Sequence, residues 1–232
     1  MELKKRILLI SLIAFCISFA FHIPNYSITV TGENVISYFS FSDWLIIMEE
    51  RQESLLNRID VAEKLQDTKQ ASEFINKLIT GEPDIIKGIF AEKKFALFVV
   101  EQPQNRPAFV SSISEVVTEF QMPKEYGVIG LIAHNYLAGR YFFKLQLGDI
   151  VQVIYGDGSN RGYRISEIRE YQALNPNSPF SDFVNLETDD VVSSMKLFKS
   201  VYTGEHHLTL QTCIQVGSED SWGRLFLIAE PI

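Results

Sequence analysis

DIVQVIYGDGSNRGYRISEI (residues 149–168) reads as two strand-like runs joined by a tight turn. Residues 149–155 and 162–168 carry the β-branched and aromatic side chains that suit a pleated, half-buried surface. Between them, Asp157-Gly158 tolerates the positive φ angles that a hairpin turn demands. The surrounding Gly156-Asp157-Gly158 follows no strand-to-helix pattern, so it is read as a hairpin and not as a phosphate-binding loop. The same texture extends in both directions. Upstream lie FALFVV (95–100), PAFVSSI (107–113) and YGVIGLIA (126–133); downstream lie HLTLQTCIQV (207–216) and RLFLIAE (224–230). Seven or eight short strands with little helix predict a mainly β domain over residues 85–232, closed or nearly closed into a barrel of about eight strands. The segment 172–200 is a loop-rich insertion expected to hold a short helix or a 3₁₀ turn. No internal repeat and no low-complexity tract interrupts the pattern.

Ahead of the barrel the pattern changes twice. Residues 44–79 place Leu45, Met48, Leu55, Ile59, Ala62 and Leu65 mostly three or four apart, with Glu50, Arg51, Glu53, Arg58, Asp60, Glu63 and Lys64 opposite. That spacing predicts an amphipathic helix, or a pair, ending before Gly81 and Pro83. It would serve as a lid or partner-binding arm, or pack on the edge of the core. Residues 25–42 are a polar, aromatic connector, so 25–84 form a connector plus helical arm. Residues 7–23 (ILLISLIAFCISFAFHI) follow Lys4-Lys5-Arg6 and are just long enough to cross a bilayer. The basic cluster keeps the N-terminus cytoplasmic, so residues 1–24 are expected to anchor a domain that lies outside the cell. A signal peptide cut near Ser18-Phe19-Ala20 is the alternative. Cys16 follows Phe15 and reads as a small hydrophobe within this span, not as a lipidation site.

The chain has 232 residues, 46% of them hydrophobic and 22% charged, which excludes a wholly disordered polymer. The formal net charge is −8, and −10 once residues 1–24 with their three bases and one acid are set aside. No basic surplus exists to neutralise phosphates, which argues against nucleic acid as a partner. Two cysteines exclude a disulfide framework, and one apolar span excludes a multi-span membrane protein.

Cys213 is the only cysteine outside the apolar leader. In HLTLQTCIQV one face of a strand carries Leu208, Leu210, Thr212, Ile214 and Val216; the other carries Thr209, Gln211, Cys213 and Gln215. A cysteine that merely packs belongs with the leucines. On the polar face it is a candidate nucleophile that needs a cation or base nearby to ionise. His134, His206, His207, Arg140 and Arg224 are the candidates. His134 leaves the run GVIGLIA at a strand exit, where catalytic groups collect. Arg224 follows the turn GSEDSWG, so a hairpin brings it to the Cys213 strand, unless it pairs with Glu219 or Asp220 instead. Glu205-His206-His207 suggests a metal, but adjacent residues in a strand point to opposite faces. Glu187, Asp189 and Asp190 suggest calcium, which needs more oxygen ligands than three carboxylates within four residues present. No metal and no cofactor is expected.

TLQTC (209–213), with Arg224 eleven residues on, resembles the TLxTC…R signature of the sortases, membrane-anchored bacterial cysteine transpeptidases. GLIAHNYLAG…F..LQLGDIVQV (130–153) is similar to their stretch in which a histidine ends a strand and an L..GD.V.V strand follows. The two blocks cover about 50 residues. The resemblance implies an eight-stranded sortase barrel in which Cys213 attacks the backbone carbonyl of a short sorting motif of LPxTG type. It implies that His134 handles the proton of the leaving and incoming amines, and that Arg224 stabilises the oxyanion and positions the peptide. Thr212 and Gln211, beside the nucleophile, would contact substrate. The partners implied are a sorting-motif peptide of a secreted protein, an amino acceptor on a cell-wall precursor or protein, and the cytoplasmic membrane. Two other readings of the residues stand beside this one. One is a non-catalytic, membrane-tethered β-barrel that binds a peptide or wall component. The other is a plain cysteine peptidase in which water resolves the thioester.

Overall fold

The computed structural model describes residues 41–178 and 180–232. The expected anchor (1–24) and the connector up to residue 40 lie outside them. The chain divides into two compact units that meet between Asp60 and Val61. In the first, residues 41–60 begin the helix α1 (Phe41–Leu78). This is one continuous helix rather than a pair. Leu55 and Ile59 of the expected apolar stripe are about half exposed, as are their neighbours Ile46 and Leu56. The polar run Glu49–Ser54 separates Met48 from Leu55 and breaks the stripe that the wider spacing suggested. Among the described residues no helix is long and apolar enough to cross a membrane.

In the second unit, eight strands close into a barrel. In chain order they are β1 (Ile86–Ala91), β2 (Phe95–Glu101), β3 (Val116–Phe120), β4 (Ile129–Ile132), β5 (Ile150–Tyr155), β6 (Asn160–Ala173), and, after an excursion, β9 (Leu208–Val216) and β10 (Glu219–Pro231). The ring runs β10-β9-β4-β3-β2-β1-β5-β6 and closes where β6 pairs with β10. The β2–β3 and β4–β9 pairs are parallel, the rest antiparallel. The excursion holds β7 (Phe183–Asn185), β8 (Val191–Val192) and the helix α2 (Ser194–Tyr202). Ser193 caps α2 by accepting from the Lys196 backbone N–H.

Three packed clusters follow from strand alternation. Inside the barrel lie Leu97, Val117, Leu131, Phe142, Val151, Val153, Tyr163, Leu208, Leu210, Leu225 and Leu227. Outside it, Tyr171, Phe183, Phe226 and Ile228 meet Leu197, Val201 and Tyr202 of α2. β10 is therefore covered on both faces, which is why residues 225–229 read LFLIA without alternation. The third cluster joins the last turns of α1, through Phe74 and Leu78, to Ile154 of β5. Phe74 also stands edge-on to Phe98 of β2, ring centres 5.5 Å apart.

The opening of the barrel departs from the strand runs read in the sequence. Residues 107–113 form no strand; the strand there is β3, beginning at Val116. Pro107 has no N–H for a ladder, and side chains serve the backbone of this segment instead. Gln102 Nε2 donates to the carbonyls of Pro107 and Phe109, and Thr118 Oγ1 accepts from Ser111 N. β3 itself is disguised by Glu119, a carboxylate 1% exposed on an otherwise apolar inner face. Burial pushes its carboxyl above the ordinary value, against the pull of Lys124, whose Nζ lies 3.1 Å from Oε1. β1 lies in a stretch interrupted by Gly88 that no strand run had covered.

Candidate active site

β9 and β10 form an antiparallel hairpin in which Cys213 stands directly opposite Arg224. Side chains of directly opposed residues share a face, with Cβ atoms about 4.5–5.5 Å apart. β4 lies on the other side of β9, in parallel, with Ile132 opposite Gln211. The ladder continues by one hydrogen bond, Ala133 N to Gln211 O at 3.1 Å. His134 is the next residue, so it leaves β4 at the level of Cys213. β9 and β10 thus set Cys213 and Arg224 in one row on the outer face of the barrel, and His134 follows the end of β4 at the level of that row. The row continues through Tyr171 of β6, opposite Arg224, to Asn185 of β7.

Local bonds give the row its form. Leu137 N and Gly139 N both donate to the His134 carbonyl, at 3.0 and 2.9 Å, folding the chain into a 3₁₀ turn at Ala138–Lys144. The His134 ring stacks on Tyr136, centroids 5.3 Å apart and planes 20° apart. Arg224 does not pair with Glu219 or Asp220. Its Nη1 donates to the carbonyls of Ser221 (2.9 Å) and Gly223 (2.8 Å), and its guanidinium sits 6.0 Å from the Phe183 ring centre. Glu219 instead accepts from the N–H and hydroxyl of Ser221. One guanidinium nitrogen is fixed by the turn, leaving the remaining N–H groups of the fork for a substrate oxygen.

The electrostatics are those of a guarded thiol. Burial pushes the half-buried Cys213 thiol above its ordinary value; Arg224 pulls it down and Asp220 pushes it up. The resting group at neutral pH is therefore the thiol, and attack requires its proton to move to a base. Asp220→Asn, which removes the anion, is expected to speed alkylation of Cys213 by iodoacetamide at neutral pH. Arg224→Ala is expected to slow it. Rates followed by intact-protein mass spectrometry check both signs, and the reverse order would sink this account.

Two residues expected to touch substrate are committed elsewhere. Thr212 is 2% exposed and faces the barrel interior, where its hydroxyl donates to the Ala133 carbonyl at 2.9 Å. Gln211 shares the outer face with Cys213, but its Oε1 accepts from the Tyr202 hydroxyl at 2.6 Å under α2. The same helix covers Thr209, whose hydroxyl donates to the Val201 carbonyl. The polar face of β9 is thus covered at Thr209 and Gln211 and open from Cys213 to Gln215. The other cations considered do not join the row. His206 bridges the Tyr163 hydroxyl and the Gly127 carbonyl, and His207 contacts the carbonyls of Glu205 and Val201. Arg140 lies over the Tyr141 ring. The acidic turn closes on itself: Asn185 Oδ1 accepts from Glu187 N, and Asp190 accepts from the Thr188 hydroxyl. A cavity of about 450 Å³ lies against β6, lined by Arg169, Tyr171, Asn185 and Lys196. Cys213, His134 and Arg224 do not line it; it meets the row only through Tyr171 and Asn185. Asn135 and Tyr136 carry no sequence signal beyond standing next to His134 in the chain, and Asp220 entered only as a possible partner of Arg224.

No protein-family model matches this sequence, and no curated protein matches it. Solved structures do. The chain is similar to sortase A of Listeria monocytogenes at 14% identity and TM-score 0.40, over 64% of this chain and 88% of that one. It is similar to sortase C of Clostridium perfringens SM101 at 15% identity and TM-score 0.39, over 79% and 97%. It is similar to sortase A of Corynebacterium diphtheriae at 13% identity and TM-score 0.42, over 66% and 63%.

Proposed function

We propose that this chain is a sortase-type cysteine transpeptidase. The observation that carries the reading is the row itself: a thiol on β9, a guanidinium directly opposite on β10, and a histidine leaving β4 at the same level. Acyl transfer needs a nucleophile, a proton carrier and a donor aimed at the developing oxyanion, and these three residue types supply them.

In the forward half-reaction His134 takes the Cys213 proton, and the thiolate attacks a backbone carbonyl of the bound peptide. The carbonyl oxygen becomes an oxyanion opposite the free N–H groups of Arg224. The tetrahedral centre collapses, the C–N bond breaks, and His134 returns the proton to the leaving amine. A thioester on Cys213 remains. In the second half an incoming amine attacks the thioester carbon and gives its proton to His134. The C–S bond breaks, Cys213 leaves as thiolate, and the proton passes back to it. Neither half needs a metal or a redox partner. Burial keeps the thiol protonated until a base is in place, which protects it from adventitious oxidation.

The substrate we assign is a short sorting motif of LPxTG type in a secreted protein, and the acceptor an amino group on a wall precursor or second protein. The resemblance of TLQTC…Arg224 and of residues 130–153 to sortase blocks supports this choice. The Lys4-Lys5-Arg6 cluster and the apolar run 7–23 support an N-terminal membrane anchor with the catalytic unit outside the cell.

The test uses the full chain and a fluorogenic peptide containing an LPxTG motif, with and without triglycine as the amine. The expected result is a thioester mass on Cys213, absent in Cys213→Ala, and a peptide–triglycine product whose yield rises with amine. Thioester formation that only water resolves would leave a cysteine peptidase. No adduct on Cys213 would leave the tethered binding barrel.

A further inference from the structure

The histidine lies on a loop after β4 and the arginine on β10, yet one side chain ties the loop to that strand. Asn135 Nδ2 donates to the backbone carbonyl of Asp220 at 3.0 Å, across 85 positions of sequence. Asp220 sits in the irregular start of β10, where the register shifts, between Glu219 and the Ser221 whose carbonyl receives Arg224 Nη1. We infer that Asn135 is a positioning residue, a clasp that holds the His134 loop in register with the start of β10 that fixes Arg224.

The geometry favours this role over a purely local one. The other bonds of the His134 loop reach its own turn or its base: His134 O accepts from Leu137 and Gly139, and Ala133 is held by Gln211 and Thr212. None of these touches the element that carries Arg224. Asn135 is also not part of the barrel wall, being half-buried in a loop beyond the end of β4. Losing the bond removes one hydrogen bond at a solvent-facing site, which leaves the barrel core unchanged. It frees the histidine to drift, and small misplacements of a catalytic group are costly. The titratable group in contact with the His134 ring is Tyr136 of its own loop, and Arg224 and Asp220 are the charges that act on Cys213.

This inference rests on the proposed role of His134, so the experiment separates the two. The probe is iodoacetamide, which needs no peptide substrate, and the readout is the alkylation rate of Cys213 in the full chain across pH 5–10. Wild type, His134→Ala, Asn135→Ala, Asn135→Gln and the double variant His134→Ala/Asn135→Ala are compared, with urea unfolding midpoints alongside. We expect His134→Ala to change the pH profile. Asn135→Ala should reproduce most of that change, with about a tenfold lower rate near neutrality, an unfolding midpoint close to wild type, and partial rescue by Asn135→Gln, which can still donate. The double variant should match His134→Ala, because a positioning residue acts only through the group it positions. An Asn135→Ala profile equal to wild type, beside an altered His134→Ala, overturns the clasp alone. So does an Asn135→Ala effect that persists in full without His134. A His134→Ala profile equal to wild type overturns both the clasp and the catalytic reading of His134.

Discussion

Arg224→Ala is expected to lower the rate of thioester formation on Cys213 by about 10²–10³, the range seen when one preorganised oxyanion donor is lost. The guanidinium stands opposite the nucleophile in the β9–β10 register and is held by the Ser221 and Gly223 carbonyls, so it is in place before substrate arrives. Preorganisation makes the donor effective, since nothing has to reorient as charge develops. Arg224→Lys should recover only part of the loss. A lysine keeps the positive charge but cannot hold both carbonyls with one nitrogen and still present a second nitrogen of a planar fork in a set direction. Single-turnover kinetics with the LPxTG peptide measure this directly. An Arg224→Ala enzyme within a few-fold of wild type would remove Arg224 from the chemistry.

Gly139→Ala is expected to destabilise the protein by about 3 kcal/mol, at the upper end for overpacking a buried site. Gly139 is buried within the 3₁₀ turn. A Cβ there would overlap Thr212 Oγ1 and lie 2.7 Å from the His134 carbonyl and 2.9 Å from the Ala133 carbonyl. Two of these atoms are backbone and cannot swing aside. The third is the hydroxyl that holds Ala133. The collision therefore falls on the segment that delivers His134 to the row, and Cys213 reactivity should fall together with stability. Urea unfolding measures the first effect and iodoacetamide alkylation the second. Gly139→Ala/Thr212→Ala should recover part of the stability relative to the sum of the single changes, because one obstacle is gone and the carbonyls remain. Strict additivity would mean that the clash is relieved elsewhere.

The barrel was legible where alternation is clean. FALFVV, DIVQVIY and HLTLQTCIQV became β2, β5 and β9, and the Asp157-Gly158 turn became the β5–β6 hairpin with Gly158 at φ +87°. Legibility failed where a long-range contact overrides local pattern. β3 was missed because Glu119 is buried beside Lys124, so a charged residue occupies an inward position. Residues 107–113 have strand-like apolar content, but their backbone bonds go to Gln102 and Thr118.

The candidate site divides in the same way. Period-two alternation along residues 207–216 is a local property, and it was enough to set Cys213 apart from Leu208, Leu210 and Thr212. The turn ahead of residue 224 was enough to return Arg224 to the same hairpin. Whether Gln211 faces a substrate or α2 depends on where Tyr202 packs, and no spacing encodes that. Thr212 has the chemistry of a substrate contact but the position of a core residue, so its hydroxyl holds the His134 loop instead. Pairing across a hairpin is dictated by neighbours in the chain. The parallel approach of β4 to β9, and the Asn135 bond to Asp220, join residues about 80 positions apart, and only closure of the barrel brings such segments together.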